Sequence, residues 1–202
     1  MEKLDLKREY KELYNPSAKA ISVVKAPTMN FLMVDGTGDP NVAQVYKDAV
    51  EALYAVAYAL KFKIKREQNV DYVVMPLEGL WWVDDMTLFS VENKAEWLWT
   101  MMIMQPKFVT PKMARQAMDE AAKKKGLAAL SRVRFEKFAE GLAAQILYFG
   151  AYADEGPTIQ KIHQYIHDTG HQLHGKHHEI YLGDPRKTAP AKLKTVIRQP
   201  MR

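Results

Sequence analysis

Two short strings recur at corresponding places in this chain, and that recurrence limits its fold more than any other feature. Phe31 to Gly36 (FLMVDG) precedes one helical stretch and Ile146 to Gly150 (ILYFG) precedes another, while MIMQP at 102–106 is answered by VIRQP at 196–200. Each half then reads strand, helix, strand, strand. Two such units side by side predict an α+β fold with two sheets around a shared groove. The boundaries that follow are an N-terminal arm at 1–26, a first module at 27–109, a connector helix at 110–126 and a second module at 127–202.

Local signals fill in each module. Thr28 to Val34 is strand-like and Gly36-Thr37-Gly38 breaks it; Asp39 then Pro40 predicts a helix start, with Asp39 as N-cap. Apolar residues at Val42, Val45, Ala49, Leu53, Val56 and Leu60 keep a spacing of three or four, which gives that helix one buried stripe. Tyr72 to Met75 and Leu80 to Val83 read as strands separated by a bend or bulge at Pro76 to Gly79. Trp97 to Gln105 is a strand that places Trp97, Trp99, Met101 and Ile103 on one face. Thr110 and Pro111 open an Ala- and Lys-rich helix that runs to about Lys125. In the second half, Arg134 to Glu140 and Ala143 to Phe149 are strand-like, a helix starts near Pro157, and strands follow at His177 to Leu182 and Thr195 to Gln199.

Composition removes several function classes. The 202 residues contain no cysteine, so disulfides, thiolate metal sites and Cys nucleophiles are absent. The start, MEKLDLKREYKELY, is too charged for a signal peptide, and the longest apolar runs are too short or interrupted to span a bilayer. This reads as a cytoplasmic protein with no membrane partner. A net charge of +5 raises the question of nucleic acid, but the basic residues are scattered among 24 acids. Their densest groups, Lys61 to Arg66, Lys123 to Lys125 and the tail from Lys187, read as solvated faces or helix ends, so no direct nucleic-acid binding is expected.

The chemistry concentrates in His177-His178-Glu179-Ile180-Tyr181-Leu182. Strand alternation puts His177, Glu179 and Tyr181 on one face and His178, Ile180 and Leu182 on the other. A groove built from both halves would draw on Trp81 or Trp82, Trp97, Trp99, Tyr148 and Tyr152 together with Glu179 and Tyr181. Trp81 and Trp82 are adjacent and point to opposite faces, so only one can line it; Trp82 is the candidate carried forward. Glu78, in the predicted bend, is the other acid placed near the groove.

The strings HHEIYLGDPRKTAPAKLKTVIRQP, FLMVDGTGDPN, PLEGLWWVDD and WLWTMMIMQP together resemble the GyrI-like small-molecule-binding proteins, in the stand-alone branch without a DNA-binding domain. Residues 1–17 are too few to hold a helix-turn-helix. The resemblance implies two related modules in pseudo-two-fold arrangement around a central ligand cleft. It also implies that the carboxylate at Glu179 sits in that cleft, binding cations in sensors and, in some stand-alone members, supporting hydrolysis of cyclopropane-containing DNA-alkylating natural products. The residues then permit Glu179 as general base and Tyr181 or Tyr148 as donor to the oxygen on which charge develops. Non-catalytic binding of hydrophobic cations uses the same groove and stays open. The expected partner is an aromatic or cationic small molecule; the sequence does not set the oligomeric state.

No cofactor and no metal are expected. All six histidines fall between His163 and His178, and His163, His167 and His171 have helical spacing, but Gly170 interrupts the tract and no Cys joins it. There is no G-x-S-x-G to support a serine nucleophile.

Overall fold

The computed structural model describes residues 2–86, 93–124 and 126–202. The N-terminal segment forms β1 (Glu2–Leu4), the short helices α1 (Leu6–Glu9) and α2 (Lys11–Tyr14), and β2 (Ser22–Ala26). The first half continues with β3 (Met29–Thr37), α3 (Gln44–Gln68), β4 (Val70–Tyr72), β5 (Leu77–Trp82) and β6 (Leu98–Gln105). Helix α4 (Pro111–Lys124) leads to β7 (Arg134–Phe138), β8 (Gly141–Phe149), α5 (Gly156–Asp168), β9 (His177–Tyr181) and β10 (Lys194–Pro200).

Among the described residues, eight strands form one antiparallel sheet in the order β2-β8-β10-β9-β5-β6-β3-β7, while β1 and β4 pair separately in parallel. The main sheet is therefore single and continuous, which corrects the expectation of two. The halves meet where β5 pairs with β9, with Leu77 opposite Tyr181, Gly79 opposite Glu179 and Trp81 opposite His177. Outward from that pair the order is β6, β3 on one side and β10, β8 on the other. The flanking strands cross over: β2, which precedes β3 in sequence, pairs with β8, and β7, which precedes β8, pairs with β3.

Helix α3 buries Ala49, Leu53, Val56, Leu60 and Ile64, as the three-and-four spacing requires. Its start differs from expectation. The Asp39 carboxylate accepts the backbone N–H of Asn41, closing a turn, and the helix begins only at Gln44. Val42, assigned above to the buried stripe, is consequently 74% exposed. The helix ends at Asn69 in the left-handed conformation, φ 58°. Helix α4 lays Ala114, Ala117 and Ala121 into the core, where small side chains permit close approach to α3, and Lys63 to Glu120 (3.0 Å) bridges the two helices. The Thr110 hydroxyl accepts the N–H of Met113 at 3.3 Å, as an N-cap should; Lys125, where the sequence reading ends this helix, lies outside the described residues. On the other half, Ile162 and Ile166 of α5 pack with Ala144, Ile146 and Ile197 of β8 and β10.

Strand β5 is also a correction. Pro76 ends the preceding loop, and Leu77 to Trp82 pair without interruption with β6 while Leu77 to Trp81 pair with β9. Gly79 is there for space rather than for a turn, since a Cβ at that position would lie 2.7 Å from the Trp81 indole nitrogen. The basic stretch on α3 is largely neutralised: Lys61 and Lys65 both pair with Asp71, and Lys63 pairs with Glu67 and Glu120.

Candidate functional site

The two central strands supply the floor of the site. On β9 the side chains of His177, Glu179 and Tyr181 share one face, and the ladder places Gly79 and Trp81 of β5 on the same face beside them. The Glu179 carboxylate accepts the Tyr181 hydroxyl at 2.6 Å on one oxygen and meets His177 Nε2 at 3.1 Å on the other. The Tyr181 oxygen in turn accepts the Trp81 indole N–H at 3.0 Å. Opposite Glu179 stands Gly79, whose missing side chain leaves room for the Trp81 indole to lie across it, and 14% of the Glu179 side chain remains exposed.

Aromatic rings surround this floor. Tyr46, on the first turn of α3, stacks on Trp81 with centroids 6.1 Å apart and meets the edge of Trp99 at 5.4 Å. Trp97 tilts against Trp81 at 5.4 Å, and Tyr152 makes an edge contact with Tyr181 at 5.3 Å. Trp99 is fully buried, donates its N–H to the Gly38 carbonyl at 3.2 Å and occupies the space where a Cβ on Gly36 would fall. It supports Tyr46 from below. Tyr148 shares the sheet face of Glu179 but stands two strands away on β8, where its hydroxyl donates to the Ala151 carbonyl at 3.3 Å.

Burial alone would raise the Glu179 carboxyl, but the hydrogen bonds and charge from His177 and the Tyr181 hydroxyl outweigh it and hold the group below its ordinary range. The phenol of Tyr181 is pushed well up by burial and by the adjacent Glu179. A second acid, Glu155, lies at the start of α5; burial first, and then Glu179, push its carboxyl up to about 9. The site therefore presents an ionised carboxylate, a neutral carboxyl and several phenols inside an aromatic surround. That combination can attract a cation or take a proton from water.

Two residues expected beside Glu179 stand on the other face of the sheet. Trp82 and Glu78 point to the opposite face of β5, because Trp81 and Gly79 take the Glu179 side. Trp82 carries the Lys176 ammonium 3.2 Å from its ring centroid. Glu78 is buried in a polar network: its oxygens accept the Tyr14 hydroxyl at 2.7 Å and meet His178 Nε2 at 3.0 Å. His178 Nδ1 meets Glu140 at 2.7 Å, and Arg198 links Glu140 (2.9 Å), Gln145 (2.8 Å) and the Leu13 carbonyl (2.7 Å). With a carboxylate on each ring nitrogen, His178 is held as imidazolium, up to about 9, the two glutamates overriding its burial. This network fixes β5, β9 and β10 to the N-terminal arm directly behind Glu179.

Sequence reasoning missed Tyr46 and Glu155. Tyr46 lies one turn before Ala49 on the buried stripe of α3, so its place was available from the periodicity. Glu155 precedes Gly156-Pro157 and looks like an ordinary helix start. Of the helical histidine set, His163 and His167 lie on α5, which ends at Asp168 before His171. Among the described residues no group of three or more His, Cys, Asp or Glu could hold a metal ion. None of their helices is long and apolar enough to cross a membrane.

Comparison with known proteins follows the same lines. A family model described as the GyrI-like small molecule binding domain matches residues 19–202. An uncharacterised conserved protein from Listeria innocua is 40% identical, with a TM-score of 0.91 over 98% of this chain and 100% of that one. Two structures described as hydrolases, also from Listeria innocua, are each 38% identical; the TM-scores are 0.89 over the whole of both chains and 0.85 over 98% of this chain and 100% of the other. No match was found among curated proteins. With a model match over most of its length and relatives of this identity, the chain belongs to the GyrI-like small molecule binding domain family.

Proposed function

We propose that this protein hydrolyses flat, electrophilic, cyclopropane-containing natural products, with Glu179 as general base, in the cytoplasm. The observation that carries the reading is a partly open carboxylate, held ionised by His177 and Tyr181, within a surround made by Tyr46, Trp81, Trp97 and Tyr152. The two Listeria innocua hydrolases, alike over nearly the whole chain, support it. In this account the two halves are pseudo-two-fold modules related about the β5–β9 pair, with the cleft over their junction. The rings hold the flat ligand at about 0.5–1.5 kcal/mol per aromatic contact. Glu179 takes a proton from water as water bonds to the strained carbon, and Tyr181 with His177 keeps the carboxylate aimed. Low basicity is tolerable because the proton moves only as the new bond forms.

Sensing or sequestration of hydrophobic cations is the second reading, favoured by the same ionised carboxylate among rings. Incubating purified protein with a cyclopropane-containing alkylator and following the mass of the product separates the two. Gain of one water with multiple turnovers supports the hydrolase. No product, combined with tryptophan-fluorescence binding that favours cationic over neutral flat ligands, supports the binding protein.

A further inference from the structure

Glu179 and Tyr181 alone leave ring opening one proton short. When water bonds to the ring carbon, the carbon–carbon bond breaks, and its electron pair ends on a conjugated oxygen of the ligand, which then needs a proton. The Tyr181 hydroxyl already donates to Glu179 at 2.6 Å, and the Tyr148 hydroxyl donates to the Ala151 carbonyl. Tyr181 cannot give its proton away without releasing the bond that holds Glu179 in its ionised form.

We propose that Glu155 is the general acid of this reaction and forms with Glu179 a pair that shares one proton; the inference rests on the hydrolase reading. Glu155 is 2% exposed and stands at the N-terminal end of α5, yet its side chain makes no capping hydrogen bond there. One of its oxygens has no hydrogen-bond partner among the described residues. Tyr152, three positions earlier in the chain, makes an edge contact with Tyr181 at 5.3 Å, and α5 packs through Ile162 and Ile166 on Ile146 and Ile197, with Ile197 opposite Glu179, so Glu155 enters the helix on the Glu179 face of the sheet. Two carboxyl groups facing each other out of water do not both ionise. Glu179 has two partners for its charge and Glu155 has a bare oxygen, so the charge settles on Glu179 and the proton on Glu155. Burial and the charge of Glu179 push Glu155 up to about 9, in agreement with that division.

The step then balances. The proton of water goes to Glu179, the oxygen–carbon bond forms, the ring carbon–carbon bond breaks, and the ligand oxygen takes the proton of Glu155. The site is left with Glu179 protonated and Glu155 ionised, and transfer of one proton across the pair restores the starting state.

Glu155→Gln keeps a hydrogen-bond donor of the same shape but has no proton to transfer. Turnover should fall by roughly 10²-fold or more while affinity for a neutral flat ligand is unchanged. The wild-type rate should decline above about pH 9, and the share of that decline owed to Glu155 should be missing from the variant. His178 titrates in the same range on the other face of the sheet, and its effect persists in Glu155→Gln, which separates the two. A ligand-free measurement accompanies these: infrared spectroscopy of wild type near neutral pH should show a buried protonated carboxylic acid that is absent from Glu155→Gln. Wild-type turnover with an undiminished Glu155→Gln rate, or a carboxylic-acid band that survives the substitution, overturns the proposal. Failure of the hydrolase reading looks different: the wild type itself shows no turnover, the delivery step falls with it, and the infrared band still decides which carboxyl holds the proton.

Discussion

Glu140→Gln tests the buried network behind the site because it removes one charge and little else. The Glu140 side chain is 3% exposed and lies between His178 and Arg198. Despite burial, these two cations hold its carboxyl down from 4.5 to about 2, while His178 is raised from 6.5 to about 9. At about 1.4 kcal/mol per pH unit, either displacement corresponds to about 3 kcal/mol, and because both contain the Glu140–His178 pair they are not added. Removing one partner of a buried pair costs about 3–5 kcal/mol, so a loss near 3 kcal/mol is expected for a substitution that keeps the hydrogen-bonding shape. The sign of the pH dependence follows from the directions. Stability from the raised His178 is fully present below about 6.5 and is lost as pH rises through about 9; that from the depressed Glu140 is present above about 4.5 and is lost as pH falls toward about 2. Urea denaturation of wild type and variant should therefore differ most between about pH 4.5 and 6.5 and less near pH 10. A difference below about 1 kcal/mol near pH 6, or one that grows toward pH 10, would refute the reasoning.

Other consequences are open to measurement. Gly36→Ala drives a methyl group into the Trp99 ring, and thermal or urea denaturation should show a loss of about 1–3 kcal/mol with altered tryptophan fluorescence; unchanged stability would mean that Trp99 does not pack there. Trp81→Phe removes the indole N–H that Tyr181 accepts and should weaken flat ligands in a fluorescence or calorimetric titration, whereas Trp82→Phe, on the opposite face, should leave affinity alone. Equal effects of the two would contradict the assignment of faces. The raised Glu155 costs wild-type stability progressively as pH climbs from about 4.5 to about 9, so Glu155→Gln should gain on wild type in denaturation midpoint across that window. A gap that does not widen with pH counts against a protonated Glu155.

What could be read from the residues depended on range. Alternation along His177 to Tyr181 sorted the two faces of β9 correctly because a strand has period two whatever it pairs with. The same rule separated Trp81 from Trp82 but could not say which faces Glu179. That is set by the register of β5 on β9 and β6, which places Trp81 opposite both His177 and Trp99. Pro76 and Gly79 together imitate a bend, and only the indole lying over Gly79 shows why a glycine stands inside a central strand. Asp39 satisfied the composition of a helix cap, yet a two-residue hydrogen bond to Asn41 turned it to another use. The network of Tyr14, Glu78, Glu140, His178 and Arg198 draws on five distant segments and leaves no local trace. Glu155 is hidden for the same reason, since nothing in its neighbours points to β9.

The central claim is that Glu179 is the base of a hydrolytic cleft, and turnover of a cyclopropane-containing alkylator by wild type and Glu179→Gln tests it most directly. The account predicts multiple turnovers by wild type and a fall of roughly 10²–10⁴-fold in the variant, with binding of a neutral flat ligand nearly unchanged. Turnover that survives Glu179→Gln at the wild-type rate would contradict it.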